Sequence, residues 1–131
     1  MICFLTAGMV VATLATQQFT LIWMHSVEKI AWQEDWQVED DRLIAVAARL
    51  QGSGAGMEPP ADARLAEGWW HYRPTLPPLP RLVLSRSQFV DDYTICWNDA
   101  CHPLSYIVKF YGDTSITIIE PCSTSRQHKQ L

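Results

Sequence analysis

The sequence predicts an all-β fold, a single antiparallel β-sandwich or barrel-like domain, and three observations carry that expectation. From Phe19 to Val38 apolar and polar side chains alternate with a period of two, as half-buried strands require. Runs of strand length rich in Val, Ile, Thr, Trp and Tyr recur along the chain. Gly, Pro, Asp and Asn punctuate those runs at short intervals, the pattern of antiparallel strands joined by tight turns. A chain of 131 residues is long enough to bury one core, so residues 1–122 are expected to form one domain. Residues 123–131 are polar and are expected to be a frayed tail.

The first strand is expected from Ile2 to Thr6, with a turn at Ala7-Gly8 and a second strand from Met9 to Leu14. The first 27 residues carry no charged side chain, so a targeting segment has to be weighed. Met1-Ile2-Cys3 offers no basic n-region for a secretory signal. A membrane helix needs about twenty mostly apolar residues. Thr6, Gly8, Thr13, Thr16, Gln17, Gln18 and Thr20 break this stretch, and its β-branched content suits strands. On that reading any export signal is missing from the chain as given.

The central hairpin follows. Phe19, Leu21, Trp23, His25 and Val27 share one parity, and so do Trp32, Glu34, Trp36 and Val38. An even-length turn centred between Lys29 and Ile30 would set Val27 opposite Trp32, His25 opposite Glu34, Trp23 opposite Trp36 and Leu21 opposite Val38. A His and a Glu are therefore expected to meet on the apolar face.

Glu39-Asp40-Asp41 reads as a turn. In Arg42–Leu50 the alanines favour helix, while the length between two turn signals favours strand, and strand is expected. Gly52-Ser53-Gly54-Ala55-Gly56-Met57-Glu58-Pro59-Pro60 resembles a nucleotide loop only superficially. Met57 stands where a dinucleotide fingerprint needs Gly, and prolines stand where its helix should run. The first reading is a structural turn whose glycines permit positive φ; the second is a concave anion site made by its amides. Glu67-Gly68 is a turn, and Trp69–Arg73 a short aromatic strand. Thr75–Pro80 is an extended spacer, with a polyproline ligand as the alternative. Further strands are expected at Arg81–Ser85, Asp92–Trp97, Ser105–Phe110 and Ser115–Ile119.

A net charge of −4, with only Lys109, Arg126 and Lys129 basic after Arg86, argues against nucleic acid as a partner. Six tryptophans in so short a chain should dominate the buried area. The four cysteines allow three pairings if all are oxidised. Cys96 and Cys101 flank the turn-like Trp97-Asn98-Asp99-Ala100, which leaves Cys3 to meet Cys122. Oxidised pairs would imply a compartment outside the cytosol. Four free thiols are the alternative, and one Cys-x4-Cys is a weak zinc set.

Trp23-Met24-His25-Ser26-Val27-Glu28-Lys29 and Trp32-x-Glu34-x-Trp36, with Gly52 to Met57 and Gly68-Trp69-Trp70, resemble the bacterial domain-of-unknown-function family numbered eighteen-fifty. The resemblance runs from about Cys3 to Cys122. Met24 stands where the family usually has Thr, on the face opposite His25. The resemblance implies genes beside tripartite (TRAP) periplasmic transporters of the TAXI type, hence an accessory role at the outer face of the inner membrane. It also implies a hydrophobic leader, which this sequence does not show. It carries over no catalytic residues.

Among chemical constellations, adjacent His25 and Ser26 would point to opposite faces of a strand and form no dyad. A His25–Glu34 pair has a structural reading first, because a carboxylate on an aromatic face needs a partner. A ligand site comes second and an acid–base pair third. Lys29 is an alternative partner for Glu34. Nothing in the spacing brings His71 and His102 to His25 and Glu34, so no metal site and no cofactor are expected.

Two functional expectations follow. One is a non-enzymatic, periplasmic binding domain that contacts a transporter membrane or solute-binding subunit, or its small anionic solute. Its recognition surface would be formed by His25, Glu28, Lys29 and Glu34 with Gly54, Ala55, Gly56 and Met57. The other is a small hydrolase or isomerase using Glu34 and His25 as an acid–base pair.

Overall fold

The computed structural model describes residues 1–24, 30–51, 60–109 and 112–122. Eleven strands follow one another along these residues. They are β1 (Ile2–Thr6), β2 (Met9–Leu14), β3 (Gln18–Met24), β4 (Ala31–Glu39), β5 (Arg42–Gln51) and β6 (Arg64–Ala66). Then come β7 (Trp69–Tyr72), β8 (Leu82–Ser87), β9 (Thr94–Trp97), β10 (Ala100–Pro103) and β11 (Thr114–Pro121). All named pairings are antiparallel, in a four-stranded sheet ordered β2-β1-β11-β8 and a seven-stranded sheet ordered β10-β9-β3-β4-β5-β7-β6. Each sheet keeps two edges, so the architecture is sandwich-like and not a closed barrel.

Four of the hairpins close through two residues that both have positive φ: Ala7/Gly8, Asp40/Asp41, Glu67/Gly68 and Asn98/Asp99. Such turns twist in the same sense as the strands they join. All four were expected as turns, the last within the turn-like Trp97-Asn98-Asp99-Ala100 between Cys96 and Cys101.

The small sheet turns Ile2, Phe4, Leu84 and Ile119 inward against Phe19, Leu21, Trp36, Leu43, Ala45 and Ile95 of the large one. Leu104 and Val108 close the core at its side. Backbone hydrogen bonds in both directions between Leu43 and Leu79, 2.7 and 2.9 Å, tie the approach to β8 onto β5 and so link the layers.

The alanines of β5 have a packing reason. A bulge leaves Val46 without a partner between Ala45, which faces Trp36, and Ala47, which faces Asp35. Burial switches parity there, from Leu43 and Ala45 to Ala48 and Leu50, so both halves keep apolar side chains inward. Small Ala45 and Ala48 lie opposite the large Trp36 and Glu34.

Three expectations are corrected. The strand expected at Ser105–Phe110 does not form over its described residues 105–109: Leu104–Tyr106 is a short 3₁₀ turn in which Leu104 O accepts from the amides of both Ile107 and Val108. Turning the chain there lets Leu104 and Val108, four residues apart, both enter the core. Strands β6 and β10 were not expected, because the first is wholly exposed and the second contains Pro103. The third correction concerns the central hairpin. Trp23 faces Trp32, Leu21 faces Glu34 and Phe19 faces Trp36. Each residue of β3 thus meets a partner four positions earlier than expected, and Glu34 lies opposite Leu21, not His25.

Both disulfides are formed, Cys3–Cys122 across a sequence separation of 119 and Cys96–Cys101 across 5.

Candidate site at Glu34

Strand pairing places Glu34 in mid-sheet. On the inner face, His102, Ile95, Leu21, Glu34, Ala48 and Tyr72 form one cross-strand row over β10, β9, β3, β4, β5 and β7. The row toward the Met24/Ala31 end holds Trp23, Trp32, Leu50 and Trp70, and the row on the other side holds Phe19, Trp36 and Ala45. The four strands of the small sheet do not cover all of this face. Trp23, Trp32, Glu34, Trp70 and Tyr72 stay half-buried, and Leu65 at the far edge is exposed.

The Trp23 and Trp32 rings stack at 5.2 Å, and the Trp23 indole N–H donates to a Glu34 carboxyl oxygen at 3.3 Å. Burial pushes the Glu34 pKa up, and the Trp23 and Trp36 indoles oppose that shift. Trp36 is 2% exposed, and its N–H lies near this carboxyl but short of hydrogen-bond geometry. The Trp32 N–H is also buried without an acceptor. Burial raises the pKa values of Tyr72 and Tyr93, and the Glu34 charge raises both further. Glu34 is therefore the electrostatic centre of an aromatic surface, neither sealed off nor fully open.

The neighbouring carboxyl behaves oppositely. Asp35 points to the outer face, where it accepts from Arg49 at 2.9 and 3.0 Å and from the Thr20 hydroxyl at 2.7 Å. The Arg49 hydrogen bonds hold its pKa below the usual value despite partial burial. Arg49 Nε also donates to Gln33 at 3.0 Å.

A third polar cluster was not anticipated. The Arg86 side chain is fully buried and donates to both oxygens of Asp92, at 3.1 and 2.8 Å, as well as to Val108 O and Thr117 Oγ1. Asp92 also accepts from the amides of Tyr93 and Ser105. A signal for it existed: Leu82, Leu84 and Arg86 share a strand parity, and an arginine on an inward parity needs an acid.

Of the expected recognition residues, Glu34 alone can be placed. His25, Glu28, Lys29, Gly54, Ala55, Gly56 and Met57 lie outside the described residues. The strand ends that flank those two segments are neighbours, since Trp32 pairs with Leu50 and the Ala31 amide donates to Gln51 Oε1 at 3.1 Å. His71 pairs with Arg49 on the face opposite Glu34, so the two cannot share a ligand. The His102 ring lies against Tyr106, with centroids 4.3 Å apart, and against Trp97. Among the described residues no three His, Cys, Asp or Glu side chains come together as a metal set.

Residues 19–104 match a known protein family, described as a domain of unknown function, DUF1850. The chain belongs to that family. The DUF1850 match is narrower than the Cys3–Cys122 span expected from the motifs. It takes in nearly the whole of the large sheet with Glu34 at its centre, and only β8 of the small one. No curated protein and no solved structure matches the chain.

Proposed function

We propose that this DUF1850 domain is a non-enzymatic, extracytoplasmic binding protein that serves a TAXI-type tripartite (TRAP) transporter. The observation that carries the binding part is the half-buried Glu34 carboxyl, held by an indole donor on an aromatic face that the second sheet leaves uncovered. Such a surface gives a ligand apolar area and one orienting polar group, the usual make-up of a binding site. The two disulfides favour an oxidising compartment, hence the periplasm or the outer face of the inner membrane. The transporter link is supported by the gene association that the family resemblance implies.

The test is co-purification. The tagged domain should retain the transporter's membrane or solute-binding subunit from gently solubilised membranes, and Glu34→Gln should weaken that retention. Failure to retain either subunit would remove the transporter role.

One observation favours a second reading, a hydrolase or isomerase. A carboxyl whose pKa burial raises holds a proton more readily than a free one, as a group that accepts and returns a proton must. Turnover on an ester or keto-acid panel that disappears in Glu34→Gln would establish it.

A further inference from the structure

We propose that Cys96–Cys101 is a thiol–disulfide exchange site, opened by an external dithiol that attacks Cys101 while Cys3–Cys122 stays closed. This site is separate from the Glu34 face and independent of what that face binds.

Three observations lead there. First, the two disulfides differ in access. Cys101 is exposed on the edge strand β10, whereas Cys3 is 5% exposed within β1, a strand paired on both sides. Access to an incoming thiol is what separates labile disulfides from inert ones. Second, Cys96 helps to line a cleft of about 370 Å³ on the outer face of the large sheet, with Thr20, Asp35 and Asp99. A thiolate departing on Cys96 therefore meets solvent and not a sealed core. The Asp35 charge beside it is already matched by Arg49, and Asp99 is exposed.

Third, the fold keeps the two sulfurs together without the bond. Cys96 and Cys101 are direct partners in the β9–β10 ladder, between the pairs Trp97/Ala100 and Ile95/His102. Strand β9 is held in turn by β3 through Thr20/Cys96, Leu21/Ile95 and Ile22/Thr94. The bond spans a sequence separation of 5 against 119 for the other, so it restrains the unfolded chain far less. Opening it leaves the hairpin paired, and closing it again is a local event.

The exchange runs in two steps. A thiolate of the dithiol attacks Cys101 Sγ, forming a new S–S bond as the Cys96–Cys101 bond breaks. The electron pair of the broken bond departs on Cys96 Sγ, which takes a proton from water. The second thiolate of the dithiol then attacks its own sulfur bound to Cys101 and releases the Cys101 thiolate, which is protonated in turn. The dithiol ends as a disulfide, and the cysteine pair has gained two electrons and two protons.

The experiment treats the whole folded protein with dithiothreitol at mildly alkaline pH, quenches at intervals with N-ethylmaleimide and locates each alkylated cysteine by peptide mass mapping. Cys96 and Cys101 should be alkylated at least about tenfold faster than Cys3 and Cys122, and urea should shrink that difference. Far-UV dichroism should keep its β signature when only the first pair is reduced. Exchanging the dithiol for oxidised glutathione should then restore the bond without urea. With reduced glutathione and an acid quench, the trapped mixed disulfide should sit on Cys101. Equal rates in the folded protein would overturn the proposal, as would loss of the β signature on opening or failure to reclose. Glutathione trapped on Cys96 would overturn the assignment of Cys101 as the sulfur attacked.

Discussion

Glu34 and Asp35 are consecutive residues on one strand, yet they face opposite sides of the sheet and their pKa values move in opposite directions. Their effects on stability have opposite signs too. Glu34 has a folded-state value above its ordinary 4.5, so it favours the fold at low pH and loses that contribution as pH climbs through the raised value. Asp35 has a folded-state value below its ordinary 3.8, so its contribution is present above that value and fades as pH falls through the lowered one. Urea unfolding across pH should show Glu34→Gln removing the loss on the alkaline side and Asp35→Asn removing the loss on the acid side. Arg86 carries a larger consequence. Arg86→Met would leave Asp92 facing a buried gap, and removing one member of a buried pair costs roughly 3–5 kcal/mol, readable as a drop in the urea midpoint. At this scale the sequence showed that Glu34 points inward, because parity alone decides it. It did not show the partner: the Trp23 indole donates to the carboxyl, and no spacing rule identifies it.

At the scale of elements, tight turns were readable wherever Gly or Asp marked them, and their strands began and ended close to expectation. The hairpin register was not. Two pairings that differ by four residues leave every side chain on the same face, so alternation cannot choose between them. Here the stacking of Trp23 on Trp32 accompanies the observed choice. Ala7, at φ 51°, adopts a left-handed conformation that costs an L-residue roughly 1–2 kcal/mol. Ala7→Gly relieves that strain but loosens the unfolded chain, so thermal melting should show a net gain of roughly 0.5–1 kcal/mol. Ala48 is 1% exposed and lies opposite Glu34. Ala48→Leu should overpack the sheet by roughly 1–3 kcal/mol and displace the carboxyl, visible as a perturbed Glu34 titration by NMR.

The whole molecule was legible as an all-β domain because its signals are local: alternation, turn residues and strand-length runs. Which strands lie side by side was not, since β11 pairs with both β1 and β8 over long sequence separations. The Cys3–Cys122 bond fastens two of these strands, with Ile2 opposite Pro121 and the Cys122 amide donating to Met1 O at 3.0 Å. Replacing both cysteines by serine should cost about 4 kcal/mol through the freed unfolded chain, measured as a lower midpoint in non-reducing urea. The same bond makes a covalent ring of nearly the entire polypeptide. A protease that nicks the Asp40-Asp41 tip would produce two fragments that still travel as one species on a non-reducing gel. They would part only when a thiol reagent opens the ring.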